Sequence, residues 1–294
     1  AVTEGFYNIG IGAAAGGAIT TGDHNIVLGY AAFDAATQTG YTIAIGSLTL
    51  SAYTHIEGAY NVAIGYSVAN LKTSGRFNTY IGGINVAKAD LTGEYNTYLG
   101  SYTNQYGTAT NYTTLIGYEA GYNATGSNNT FVGKEAGKGG TTSAPYSSGG
   151  YSVALGYQAL KAFTSANYST AIGHSAGKAI TTGTSNTLLG FGAGQSVSTG
   201  YANTYLGVEA GQNNNGFDNV IIGRQAGNDA TNTDKLVLIG NSAGADINSA
   251  DADGTVAIGW EAAHDLTSGG FNVLVGYQAG DKITTAHSNV GIGY

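Results

Sequence analysis

The sequence predicts an all-β protein, specifically a parallel β-solenoid (a β-roll) of about 17 coils with about 17 residues in each coil. An aliphatic residue followed by glycine recurs seventeen times along the 294 residues, with most spacings between 16 and 19. The chain holds 49 glycines but a single proline, Pro145, and 42% of its residues are hydrophobic. Such a chain has enough glycine for frequent turns and enough apolar side chains for a core.

Each repeat can be numbered from its glycine, which we call position 0. These glycines are Gly12, Gly29, Gly46, Gly65, Gly82, Gly100, Gly117, Gly133, Gly156, Gly173, Gly190, Gly207, Gly223, Gly240, Gly259, Gly276 and Gly293. Position −1 is Ile, Leu or Val and position −3 is Ile, Val or Thr in every copy. This spacing of two predicts a short strand, with turns where Ala-Gly follows at +3 and where Gly recurs at −7. Coils stacked at the spacing of a β-sheet would form a rod about 80 Å long.

Position −4 is asparagine in eleven of the repeats. The residues are Asn8, Asn25, Asn61, Asn78, Asn96, Asn129, Asn186, Asn203, Asn219, Asn272 and Asn289. A short amide tolerates left-handed backbone and can bond to the coils above and below, so this row predicts a structural asparagine ladder at a turn. A ligand-binding role would require other polar groups at a fixed offset, and none recurs.

Position −2 is apolar or aromatic in every copy. With positions −3 and −1 assigned to the interior, strand alternation predicts that position −2 faces outward and forms a long hydrophobic stripe. The sequence therefore predicts a homo-oligomer whose shared axis is lined by this row. Its larger members are Tyr80, Tyr98, Leu115, Phe131, Leu188, Tyr205, Ile221, Leu238 and Leu274.

Position +1 carries a second aromatic row, and it yields two interpretations. The rings could pack along a sheet surface or between chains. They could also form an exposed stacking surface for a glycan or a host receptor. The residues in this candidate surface are Tyr30, Tyr66, Tyr118, Tyr157, Trp260 and Tyr277.

Composition argues against catalysis and against several partners. There is no cysteine, so thiolate metal sites are excluded, and the five histidines fall at different phases of the repeat. The formal charge is −8 with ten scattered Lys and Arg, which offers no basic stripe to nucleic acid. No apolar run is long enough to embed the chain in a membrane. We expect a protein that is not an enzyme and that uses no cofactor or metal.

The repeat covers the chain from end to end, which predicts one solenoid domain over residues 1–294. The widest spacing, between Gly133 and Gly156, predicts a loop insertion at about residues 138–150. The chain begins and ends inside the same strand motif, and uncapped coils expose backbone edges. This raises the alternative of a subunit that stacks end to end into an extracellular filament.

The segments Asn61-Val62-Ala63-Ile64-Gly65 and Ser169-Thr170-Ala171-Ile172-Gly173 resemble the head repeats of YadA-type trimeric autotransporter adhesins. The longer form that begins at Asn272 and ends at Gly280 is similar to repeats of phage tail-fibre-like proteins that precede chaperone-of-endosialidase domains. The resemblance implies a left-handed parallel β-roll, three chains around one axis, and a role in adhesion or fibre construction.

These observations predict a structural shaft of an extracellular, cell-surface or virion appendage, such as an adhesin or tail fibre. The shaft would give length and a surface for receptor or glycan attachment. The self-polymerising filament is the main alternative. A third possibility, ice binding through the threonines at −3, is disfavoured because that row is assigned to the interior and alternates with Val and Ile.

Overall fold

The structure is a computed structural model that describes residues 4–56, 58–140 and 147–294. Over these residues it is all-β, with 17 short parallel strands wound as a solenoid of about 17 residues per turn, as the repeat predicts. The chain divides into two compact units, Ala1–Tyr151 and Ser152–Tyr294. None of the helices in the described part of the chain has the length and apolarity that a membrane span requires.

The strands of the first unit are β1 (Ile9–Ile11), β2 (Ile26–Leu28), β3 (Ile43–Ile45), β4 (Val62–Tyr66), β5 (Thr79–Ile84), β6 (Thr97–Leu99), β7 (Thr114–Ile116) and β8 (Thr130–Val132). The strands of the second unit are β9 (Val153–Leu155), β10 (Thr170–Ile172), β11 (Thr187–Leu189), β12 (Thr204–Leu206), β13 (Val220–Ile222), β14 (Val237–Ile239), β15 (Val256–Ile258), β16 (Val273–Val275) and β17 (Val290–Ile292). A 3₁₀ turn, Ala250–Ala252, precedes β15. Within each unit, successive strands pair in parallel and equivalent positions of the repeat lie side by side, as Thr187 does with Thr204.

The facing of the strands is the reverse of the sequence prediction. The residue at −2 is buried in every strand from β2 to β16, whereas its neighbours at −3 and −1 are half-buried or exposed. Tyr98 is 0% exposed while Leu99, the next residue, is 45% exposed. The predicted oligomer axis is therefore wrong, because this row is the core of a single chain. The residues concerned are Tyr80, Tyr98, Leu115, Phe131, Leu188, Tyr205, Ile221, Leu238 and Leu274.

The physical reason for this facing lies in volume matching across the core. Where position −2 is large, position +4 is often glycine: a Cβ on Gly211 would lie 2.6 Å from Cε2 of Tyr205, and one on Gly121 would lie 2.7 Å from Cδ1 of Leu115. In the coil of Gly156 the sizes are exchanged, since Ala154 at −2 accompanies buried Leu160 at +4. The interior is filled jointly by several rows, so the side chains at positions −3 and −1 are not needed inside.

In most coils the backbone turns through four positions with positive φ, at −5, 0, +2 and +4. In the coil of Gly173 these are Tyr168, Gly173, Ser175 and Gly177. Apart from Gly82, the glycines at position 0 have φ between +123° and +144°, and at most of them a neighbouring coil lies too close for a side chain. A Cβ on Gly207, for example, would lie 2.5 Å from the carbonyl oxygen of Gly223.

Hydrogen bonds between coils continue through these turns. The backbone N of Ser175 donates to the Tyr157 oxygen of the preceding coil at 2.9 Å, and the N of Gly177 donates to the Ala193 oxygen of the following coil at 2.9 Å. The turns are thus held by the same kind of ladder as the strands, which satisfies backbone groups that would otherwise be orphaned.

The predicted insertion at residues 138–150 is described at its two ends, and residues 141–146 lie outside the described residues. Ser147 forms a parallel bridge with Ala124, and its hydroxyl accepts a hydrogen bond from the Gly140 N at 3.2 Å. Ser147 therefore belongs to the ladder of the first unit.

Candidate functional site

The asparagines at −4 form a hydrogen-bonded row inside the solenoid. The Oδ1 of Asn61 accepts from the backbone N of Asn78 at 2.9 Å, and the Nδ2 of Asn61 donates to the Gly75 oxygen of the next coil at 3.0 Å. The same pair of contacts links Asn186 to Asn203 and to the Gly200 oxygen. Positive φ falls on the preceding residue, position −5, and not on the asparagine as the sequence argument assumed. The row joins coils and leaves these buried amides little capacity for a ligand.

Exposed aromatic rings at +1 form stacked groups in the second unit. Trp260 and Tyr277 lie parallel with ring centroids 4.8 Å apart, and Tyr277 stacks on Tyr294 at 5.4 Å. His174 stacks on Phe191 at 5.0 Å and lies tilted against Tyr157 at the same distance. Equivalent residues one coil apart thus present two short aromatic surfaces.

In the first unit the +1 aromatics are exposed but separated along the chain. Tyr30, Tyr66 and Tyr118 are 62%, 51% and 45% exposed, and Ser47, Gly83 and Ser101 hold position +1 in intervening coils. The Nζ of Lys134 lies 5.8 Å from the ring centroid of Tyr118. The neighbouring Glu119 carboxylate raises the pKa of the Tyr118 phenol. The predicted six-residue surface is therefore exposed in both units, and it is stacked around Trp260 and Tyr277 in the second.

A longer aromatic row, missed at the sequence level, lies at position −5 of the first unit. Seven consecutive coils contribute an exposed or half-exposed ring, and neighbouring centroids are 4.9–5.2 Å apart. We call this row the aromatic ladder; its members are Tyr7, His24, Tyr41, Tyr60, Phe77, Tyr95 and Tyr112. Tabulating position −5 would have revealed it. Aromatic residues are uncommon at positive φ, so local backbone preference gives no signal for this row.

A buried polar cluster joins the coil that follows β4 to the coil that follows β5. The Nζ of Lys72 lies 3.7 Å from Oδ2 of Asp90, and both side chains are 0% exposed. The hydroxyl of Tyr80 donates to the same Oδ2 at 2.7 Å, and the Gly93 N donates to Oδ1 at 2.9 Å. Lys72 also donates to the Gly93 oxygen at 2.7 Å. Periodicity gives no signal for this cluster, because lysine occurs at position +7 in the coil of Gly65 alone.

One group in the second unit resembles a metal-ligand set. Donor atoms of Asp246, His264 and Asp265 lie within 4.8 Å of one another. The Nζ of Lys282 is already 2.9 Å from Oδ2 of Asp265, and hydrogen bonds from Lys282 and His264 lower the pKa of that carboxyl group. The lysine supplies the positive charge that a cation would bring, so the group forms a surface ion network.

No family model matches the chain, and no curated protein matches it.

Proposed function

We propose that this chain is a structural segment of an extracellular or virion appendage, an adhesin or tail-fibre shaft that is not an enzyme. It would supply length and present aromatic surfaces for a glycan or receptor. The observation that carries the proposal is the exposure of stacked rings at equivalent positions of successive coils, as in Trp260, Tyr277 and Tyr294. Aromatic rings on a rigid hydrogen-bonded backbone lose little conformational entropy when a ligand binds, and they offer it flat apolar faces.

The coil design supports a role in spanning distance. Each coil adds a rise of about 4.8 Å, so the eight strands of the first unit correspond to about 38 Å. Interior bonds such as those of the asparagine row are made between neighbouring coils. Length can therefore be extended by repetition without redesign of the core.

We further propose that the chain forms a homo-oligomer through the strand face at −3 and −1. This replaces the axis predicted at −2. Leu155, Leu189 and Leu206 lie at the same position of nearby coils and remain exposed in the single chain. A continuous aliphatic stripe of this kind is typical of a surface that another chain covers. Three chains around one axis remain the arrangement implied by the resemblance to adhesin heads.

Attachment is tested by replacing Tyr118, Tyr157 and Trp260 together with alanine and measuring binding to a glycan array and to cells. We expect binding to be lost while the unfolding midpoint is retained. A control of equal aromatic content replaces Tyr41, Phe77 and Tyr95 of the aromatic ladder and should still bind. Unchanged binding of the first variant would remove the +1 row as the attachment surface.

Assembly is tested by sedimentation of the purified chain and of a Leu189→Lys, Leu206→Lys variant. We expect a discrete oligomer for the natural sequence and a folded monomer for the variant. Burying the lysine ammonium groups between two chains would be costly, because no opposite charge is there to pair with them. The matched control places lysine at Thr182 and Thr199, outside the strand face. A natural chain that sediments as a stable monomer contradicts the oligomer.

A further inference from the structure

The buried cluster of Lys72 and Asp90 occupies a place that other coils fill with apolar side chains. Ile180 and Leu266, at the corresponding core position of their coils, are fully buried. Replacing a buried ion pair with packed hydrophobic residues is often neutral or stabilising, so packing alone does not explain the choice of a lysine and an aspartate in neighbouring coils.

The environment disfavours both charges. Burial lowers the pKa of the Lys72 ammonium, which the Asp90 carboxylate partly opposes. Burial likewise raises the pKa of Asp90, opposed in part by Lys72 and by the Tyr80 hydroxyl. A proton moved from Lys72 to Asp90 leaves a neutral amine beside a neutral carboxylic acid, and both are then better suited to an apolar interior.

We propose that Lys72 and Asp90 join in an intramolecular isopeptide bond, an amide between Nζ and Cγ that links two neighbouring coils of the first unit. After the proton transfer, the Nζ lone pair attacks Cγ and the Nζ–Cγ bond forms. The Cγ–Oδ2 bond then breaks, and Oδ2 leaves as water with its own proton and one taken from Nζ. The remaining Nζ proton stays on the amide. No oxidant, reductant or cofactor is required.

The contacts around the pair fit each part of this reaction. The Gly93 N, 2.9 Å from Oδ1, stabilises the charge that develops on that oxygen. The Tyr80 hydroxyl, 2.7 Å from Oδ2, is placed to relay a proton to the leaving oxygen. The Gly93 oxygen, 2.7 Å from Nζ, orients the amine and can accept the N–H of the product amide. Complete burial holds the two groups together and excludes competing water.

The location gives the bond a structural purpose. β4 and β5 are paired with a register shift between Ile64 and Tyr66, where β5 carries an additional glycine. A bulge disrupts the local ladder. A covalent link between the two coils would compensate at this irregular step.

The test is the intact mass of the denatured full-length chain. We expect a mass lower than the sequence mass by one water, and we expect all of the folded protein to show this deficit. Trypsin should then fail to cleave after Lys72 and should release a branched product that joins residues 1–76 to residues 89–134. A mass equal to the sequence mass, together with cleavage after Lys72, overturns the proposal.

Variants separate this bond from other losses of water. Lys72→Met and Asp90→Ala should each restore the full mass, while Lys178→Met in the second unit should keep the deficit. Asp90→Asn should lose one ammonia in place of water, because the amide nitrogen becomes the leaving group. A water deficit that persists in Lys72→Met contradicts the assignment. The readout on the natural sequence decides the question even if a variant fails to fold.

Discussion

The Oδ1 of Asn203 accepts two hydrogen bonds from Asn219 in the next coil, from its backbone N at 3.1 Å and from its Nδ2 at 2.9 Å. The Nδ2 of Asn203 donates to the Gly216 oxygen of that coil at 2.9 Å. One side chain thus satisfies buried groups at two positions, −4 and −7, of the neighbouring coil.

Replacing Asn203 with alanine should lower the free energy of unfolding by about 2–4 kcal/mol, because the Asn219 N and the Gly216 oxygen are left buried without these partners. Chemical denaturation measures the change. Asn241→Ala is the control, since that half-exposed side chain bonds locally to Ser242, and it should cost less than about 0.5 kcal/mol. Equal losses of unfolding free energy in Asn203→Ala and Asn241→Ala would show that the asparagine row does not stabilise the fold more than a half-exposed asparagine does.

Substitution of the position-0 glycine should separate steric overlap from backbone strain. Gly207 and Gly293 both have φ at or above +130°, but an added Cβ meets the Gly223 oxygen at 2.5 Å in the first case and nothing within 4 Å in the second. Gly293→Ala should cost about 1–2 kcal/mol from strain. Gly207→Ala should cost several kcal/mol more, or prevent folding. Thermal unfolding of both variants distinguishes them, and similar midpoints would contradict the close approach of the coils.

The exchange of volume between positions −2 and +4 should be visible in a double-mutant cycle. Tyr205→Ala should cost about 3–5 kcal/mol through a cavity, and Gly211→Leu should be destabilising through overlap with the Tyr205 ring. The double variant reproduces the pattern of Ala154 and Leu160 and should recover about 1–3 kcal/mol relative to the sum of the single changes. Additive costs in chemical denaturation would mean that the two positions do not share a space.

Position −5 allows a comparison of strain with stacking. Ser185 is exposed with φ +59°. Ser185→Gly should stabilise the chain by roughly 0.5 kcal/mol, because the relief of backbone strain exceeds the cost of the greater entropy that glycine gives the unfolded chain. Tyr60 has φ +49° but stacks on Tyr41 and Phe77, and Tyr60→Gly should be destabilising by about 1 kcal/mol. Opposite signs in the unfolding midpoints are expected. A stabilising Tyr60→Gly would show that the ladder rings contribute little to folding.

Much of the fold could be predicted from periodicity. The recurrence of glycine at position 0 locates all seventeen strands, since each described strand lies immediately before one of these glycines or includes it. The asparagine row was visible for the same reason, as was the recurrence of aromatic residues at +1, which include Tyr30 and Trp260. Features that repeat in every coil leave a statistical trace in one sequence.

Two kinds of feature were not predictable: the choice of the buried strand face, and contacts that do not recur along the repeat. The row of Tyr98 and Leu115 was assigned to an oligomer axis because positions −3 and −1 were taken as the interior, and alternation alone cannot say which face of a strand is buried. The pairing of Lys72 with Asp90 escaped because it breaks the repeat at one step.

The solenoid, its coil length and the positions of its strands and turns follow from the amino-acid pattern, because a repeated chain repeats its local preferences. Which strand face forms the core depends on three-dimensional packing, because the side-chain volumes at −2, +4 and the other interior rows must together fill each coil. The same packing has a second consequence. It also placed the side chains of Lys72 and Asp90 3.7 Å apart, a distance set by the stacking of two coils and not by any local pattern.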